Sequence, residues 1–165
     1  MKKLEVCCAD IESVWAAKEG GAHRIELCEA LELDGLTPSE ELIRQAIATG
    51  MPVQVLIRVR EGNFVYSPEE VETMAASIRL AKELGAHGVV LGALTPGGQI
   101  DKPAIARMME EAEGMSVTFI SSELDEMLRT CSRLVVMRDR KVVGELSGED
   151  LTQSKVMGTI AGGEK

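Results

Sequence analysis

Four cysteines, Cys7, Cys8, Cys28 and Cys131, and several charges set inside apolar strands are the groups of this sequence with chemistry to offer. Thiolates suit Cu(I). Cys7 and Cys8 are adjacent, so on a strand they point to opposite faces and cannot share an ion without distortion. Cys7 with Cys28 is the feasible metal pair, provided that their strands are neighbours. The competing reading, in keeping with cysteine's usual behaviour, is that both are small buried apolar residues. The charges follow the same alternation. Glu5 goes with Cys7, then Arg24 with Glu26 and Cys28, then Gln54 with Leu56 and Arg58, each set sharing one face of its strand. If those faces look to one axis, two arginines, two glutamates and two thiols converge near the strand ends, where the arginines can grip a carboxylate or phosphate. The competing reading is mutual ion pairing, since buried charges need partners. His23 and His87 fall at helix-to-strand junctions and are expected to face solvent.

The elements that must position these groups are legible from periodicity and caps. Strands are expected at Leu4–Ala9, His23–Cys28, Pro52–Arg60 and Gly88–Leu94. Asp10 caps a helix over Ile11–Glu19, which Gly20-Gly21 closes. Thr37-Pro38 opens the next helix, ending at Gly50, with the cap first and proline at the first helical position. Ser67-Pro68-Glu69-Glu70 starts a long helix ending at Gly85, and a fourth helix covers Asp101–Glu113. Four strand-helix units in succession predict a parallel sheet with right-handed crossovers. The rhythm then breaks. Ser116–Asp125 reads as a buried strand followed by a helix that Ser122 caps, with that helix running over Leu124–Cys131. Leu134–Arg138 and Val142–Leu146 read as a hairpin, and a last helix runs from Ser147 to about Gly162.

Composition bounds the class. The chain has 165 residues with 2% aromatics, so its core is aliphatic, as in α/β proteins. One compact domain is expected, made of segments 1–115 and 116–165. The net charge of −9 argues against nucleic acid or an anionic membrane as partner. No apolar run approaches the ~20 residues of a membrane span. Met1-Lys2-Lys3 leads straight into a strand, so the expectation is a cytoplasmic protein with reduced cysteines.

LEVCCADIESVWAAKEGGAHRIELCEALELDGLTPS, IRVREGNFVYS and AKELGAHGVVLGALTPGGQID closely resemble the N-terminal half of the CutC family of copper homeostasis proteins, which are (β/α)8 barrels. The match covers residues 4–114. It implies an inner cluster at Glu5, Arg24, Glu26, Arg58 and Arg60, and a copper role for cysteines. Val59 and Asn63 stand where the family carries proline and aspartate, and Ile120-Ser121 replace a histidine and an arginine. From Ser116 to Gly163 the sequence instead resembles the C-terminal end of an ATP-binding subunit of a sugar-importing ABC transporter. In that family the strand end lies beside the ATP γ-phosphate, so the resemblance offers Ser122 as a remnant nucleotide contact, against the favoured reading of it as a helix cap. No G-x-x-x-x-G-K-[ST] motif is present.

These readings lead to an engineered-looking chimera, a scaffold without catalytic activity and without a required cofactor. Its fold is expected to be an open, twisted, Rossmann- or flavodoxin-like layer sandwich, with helices on both faces of about six parallel strands and one antiparallel edge strand. One alternative is a CutC-like binder of copper(I) or a small anion through Cys7, Cys28, Arg24 and Arg58; another is a nucleotide-binding remnant. A homodimer through an exposed sheet face or edge is also open.

Overall fold

The computed structural model describes residues 4–118, 127–128, 131–138 and 141–161. Most of the expected seam, Ser122 and its helix start included, lies outside the described residues. The chain divides into two compact units, with the boundary between residues 120 and 121.

The first unit alternates strands and helices: β1 (Glu5–Cys8), α1 (Ile11–Glu19), β2 (Arg24–Leu27), α2 (Glu40–Ala48), β3 (Val53–Leu56), α3 (Pro68–Leu84), β4 (Gly88–Val90), α4 (Lys102–Glu111) and β5 (Ser116–Thr118). Caps fix the helix starts. The Asp10 carboxylate accepts from Ser13 N at 2.7 Å, and Ser67 and Glu70 form a reciprocal capping box at α3. The expected start of α2 is corrected by two residues. Ser39 is its cap, because the Thr37 hydroxyl is engaged elsewhere, accepting from Arg58 N at 2.7 Å.

All five strands are parallel, in the order β1-β2-β3-β4-β5. This corrects the expected layer sandwich. A doubly wound sheet must reverse its strand order to put helices on its second face; with right-handed crossovers throughout, sequential order puts every helix on the same face. The residues of that face, Cys8, Ile25, Leu27, Val53, Val55, Ile57, Val89 and Leu91, are buried against Val14, Ile43, Met74, Ile78 and Met108 of the helices. The opposite face is that of a barrel interior, and Glu5 and Cys7 on it are exposed. The sheet also has five parallel strands among the described residues, against the expected six.

On the outside, Glu111 clamps α4 to α3. It accepts from Arg79 Nη2 at 2.7 Å and Arg107 Nη1 at 3.1 Å, and these bonds, Arg79's first, hold its carboxyl down at about 2. A depressed carboxyl lends stability that is present above its ordinary pKa of 4.5 and is lost as pH falls toward 2. Glu111→Gln is therefore expected to lower the urea midpoint at pH 7 and to have a much smaller effect at pH 2, where the wild-type carboxyl is itself about half protonated.

In the second unit, β6 (Arg133–Arg138) and β7 (Lys141–Ser147) form the expected antiparallel hairpin, as a sheet of their own. Helix α5 (Gln153–Ala161) closes one side, where Val156 packs on Leu134 and Val136. The side chains of Val135, Met137 and Val142 are exposed.

Candidate metal centre

The parallel ladder of β1 and β2 sets Glu5 opposite Arg24 and Cys7 opposite Glu26. Cys28 lies one step further along the same face. The result is two thiols side by side, with Cys7 Sγ 3.7 Å from Cys28 Sγ. Cys7 is exposed and Cys28 buried. Burial, then the hydrogen bond with Cys7, then the neighbouring acidic groups push the Cys28 thiol up to about 12. Cys8 points the other way, into the helix-covered core, so adjacency on a strand separates it from the pair as expected.

Glu5 and Arg24 form an ion pair. Glu26 is half-buried, and its pKa is raised by burial and by the Glu5 charge against the opposing pull of Arg24. The next inward position on β3 is Gln54, 3% exposed, whose Oε1 has no hydrogen-bond partner among the described residues. Its neighbour on β4 is Gly88.

Arg58 and Arg60 are committed to the protein itself. Arg58, 4% exposed, donates through Nη1 to the carbonyls of Leu33, Asp34 and Gly35 at 2.9, 3.1 and 3.1 Å. Its Nη2 reaches Gly62 O at 3.1 Å, and its guanidinium lies 4.9 Å from the centroid of the Phe64 ring. Arg60 binds Glu70 at 2.5 Å and Val65 O at 2.6 Å. With both Nη atoms of each so engaged, Arg58 and Arg60 hold loops, and neither offers a free fork to an anion; Arg58 Nε is buried with no hydrogen-bond partner among the described residues.

The loop that Arg58 holds was not legible as part of the site. It carries Ala30 at φ 53° and Asp34 at φ 62°, left-handed conformations that cost non-glycine residues roughly 1–2 kcal/mol each. It then turns through Gly35 at φ 84°, where a Cβ would come 2.9 Å from Leu56 Cδ2 and would lie in contact distance of Cys28 Sγ, at 3.5 Å. The glycine after Leu33-Asp34 is the only sequence signal for this cover. His23 and His87 are exposed, as expected, and His23 Nδ1 accepts from Leu4 N at 3.0 Å.

The donor set fits a soft monovalent ion. Metal–sulfur bonds of about 2.3 Å meeting near the tetrahedral angle separate two thiolates by about 3.8 Å, so the Cys7–Cys28 spacing suits two sulfurs on one ion at a bent angle, and a linear two-sulfur ion would draw them further apart. No cluster of three or more His, Cys, Asp or Glu suited to a metal occurs among the described residues. Zn2+, which takes four ligands, is therefore poorly served, while two soft thiolates suit Cu(I).

The sequence is matched by the CutC family model over residues 2–160. It is 48% identical over 118 residues to a CutC family protein of Bacteroides fragilis, covering 70% of this chain and 47% of the relative. A CutC family protein of Pasteurella multocida is 47% identical over 118 residues, covering 71% and 48%. The chain thus spans about half the length of these curated relatives. Its structure resembles the crystal structure of the "Putative Copper Homeostasis Protein CutC" from Streptococcus agalactiae, with a TM-score of 0.72 and 30% identity over 78% of this chain and 69% of that one. The family match runs through residues 116–125 and on to 160, which overturns the expectation of an engineered chimera. Nothing in these comparisons supports an ABC transporter segment, and Ser122 as a nucleotide contact lies outside the described residues.

Proposed function

This chain belongs to the CutC family, and from that premise we propose that it binds copper(I) between Cys7 and Cys28 on the inner face of its sheet. The observation that carries the reading is the 3.7 Å approach of an exposed thiol to a buried one. Cys7, within reach of solvent, takes the ion first, and Cys28 completes a two-sulfur grip. The acidic groups beside them, Glu5 and Glu26, favour a cation. Copper replaces the thiol protons, so the apparent affinity falls as pH falls. A small anion is the weaker ligand for this face, because Arg58 and Arg60 already serve protein acceptors.

Anaerobic titration against a chromophoric Cu(I) chelator tests the reading. The native chain is expected to take up one copper with high affinity. Cys7→Ser and Cys28→Ser should each weaken that uptake by at least about a hundredfold, the most that loss of an outer-shell partner costs, since each removes a ligand itself; Cys131→Ser, in the other unit, should leave it unchanged. Uptake that survives Cys28→Ser would remove the proposal.

A further inference from the structure

Building on the copper reading, we infer that Arg58 is the positioning residue of the two-thiol site: it pins residues 33–35 over Cys28 and keeps that thiol from solvent, so that a soft ion reaches it only by way of Cys7. The ends of the covering loop are tied by backbone. Glu29 and Leu36 exchange bonds of 3.0 and 2.7 Å, and Thr37 N donates to Arg58 O at 2.9 Å. The middle of the loop is closed on itself, by Leu33 N to Ala30 O and Asp34 N to Leu31 O at 2.9 and 3.0 Å. What ties this middle to the strand ends is the guanidinium of Arg58, which gathers three successive carbonyls on one nitrogen and reaches Gly62 with the other. Gly35, the third of those carbonyl residues, neighbours Cys28: a Cβ built on it would lie 3.5 Å from Cys28 Sγ. The chain of effect is short: guanidinium to Gly35 carbonyl, and Gly35 backbone to Cys28 sulfur.

The two left-handed residues Ala30 and Asp34 make the loop the kind of strained segment that persists only while its surroundings hold it. Released from Arg58, its middle can lift while its ends and the sheet stay in place. Lysine cannot substitute, because a single ammonium carries no rigid fork able to serve two loops at once.

Cysteine alkylation tests this without copper, so its result is independent of whether the copper reading stands. In a Cys131→Ser background, iodoacetamide modification of Cys7, Cys8 and Cys28 is followed by peptide mass spectrometry in the native chain, in Arg58→Met and in Arg58→Lys. In the native chain Cys7 reacts fast, and Cys8 and Cys28 slowly. Both variants are expected to speed Cys28 by at least about tenfold, as local opening would, while Cys8 keeps its native rate. Cys8 faces the helix-covered core, so it reports general loss of structure. If Arg58→Met does not fold, Arg58→Lys carries the test. Unchanged Cys28 reactivity, or Cys8 rising in step with Cys28, overturns the assignment.

Discussion

Gly88→Ala is expected to cost at least about 3 kcal/mol and to abolish cooperative folding of the first unit, at the top of the range for overpacking. Gly88 lies between Gln54 on β3 and Ser116 on β5 in the ladder. A Cβ at this position would collide with the Ser116 carbonyl oxygen and with Gln54 Oε1, and lie 2.8 Å from Ser116 Cβ. The carbonyl belongs to the backbone of a paired strand, so relief requires moving β5 itself. Urea denaturation followed by circular dichroism measures the loss. A variant within about 1 kcal/mol of the native chain would mean that β5 does not pair with β4 in this register, and would withdraw the barrel order of the strands with it.

The second large effect contrasts the two faces of one strand. Ile25 is fully buried on the helix side of β2, so Ile25→Ala should destabilise by about 2–5 kcal/mol through lost burial and a residual cavity. Glu26, the next residue, is half-buried on the opposite face, and no apolar packing depends on its carboxylate. Glu26→Gln should change stability by no more than about 1 kcal/mol, because it removes a half-buried charge and leaves no cavity. A layer sandwich with helices on both faces would make both substitutions costly. Equal losses at the two positions, read from urea midpoints, would contradict a sheet covered on one side.

Alternation made the faces readable in the sequence. Glu5 and Cys7, then Arg24, Glu26 and Cys28, are separated from Val6, Cys8, Ile25 and Leu27 by the period of the strand alone, and the Cys7–Cys28 pair followed once β1 and β2 were taken as neighbours. Asp10 and Ser67 marked helix starts because their side chains bond within three residues. Strand order was not readable, since βαβα repeats satisfy singly and doubly wound sheets equally and only the direction of winding decides between them. Nor was the task of Arg58 visible: its acceptors at Leu33, Asp34 and Gly35 are carbonyls 23 to 25 positions away, and any residue type supplies a carbonyl. The transporter likeness misled for a related reason. Leu134–Arg138 and Val142–Leu146 form a true hairpin, but its apolar alternation records secondary structure, which unrelated chains share.

The most direct test of copper held between Cys7 and Cys28 is X-ray absorption at the copper K-edge, on the chain loaded with one equivalent of Cu(I) without oxygen. A first shell of two sulfurs, reduced to one or none by Cys28→Ser, is the expected result; a shell of nitrogen or oxygen, or a sulfur shell indifferent to Cys28→Ser, would contradict it.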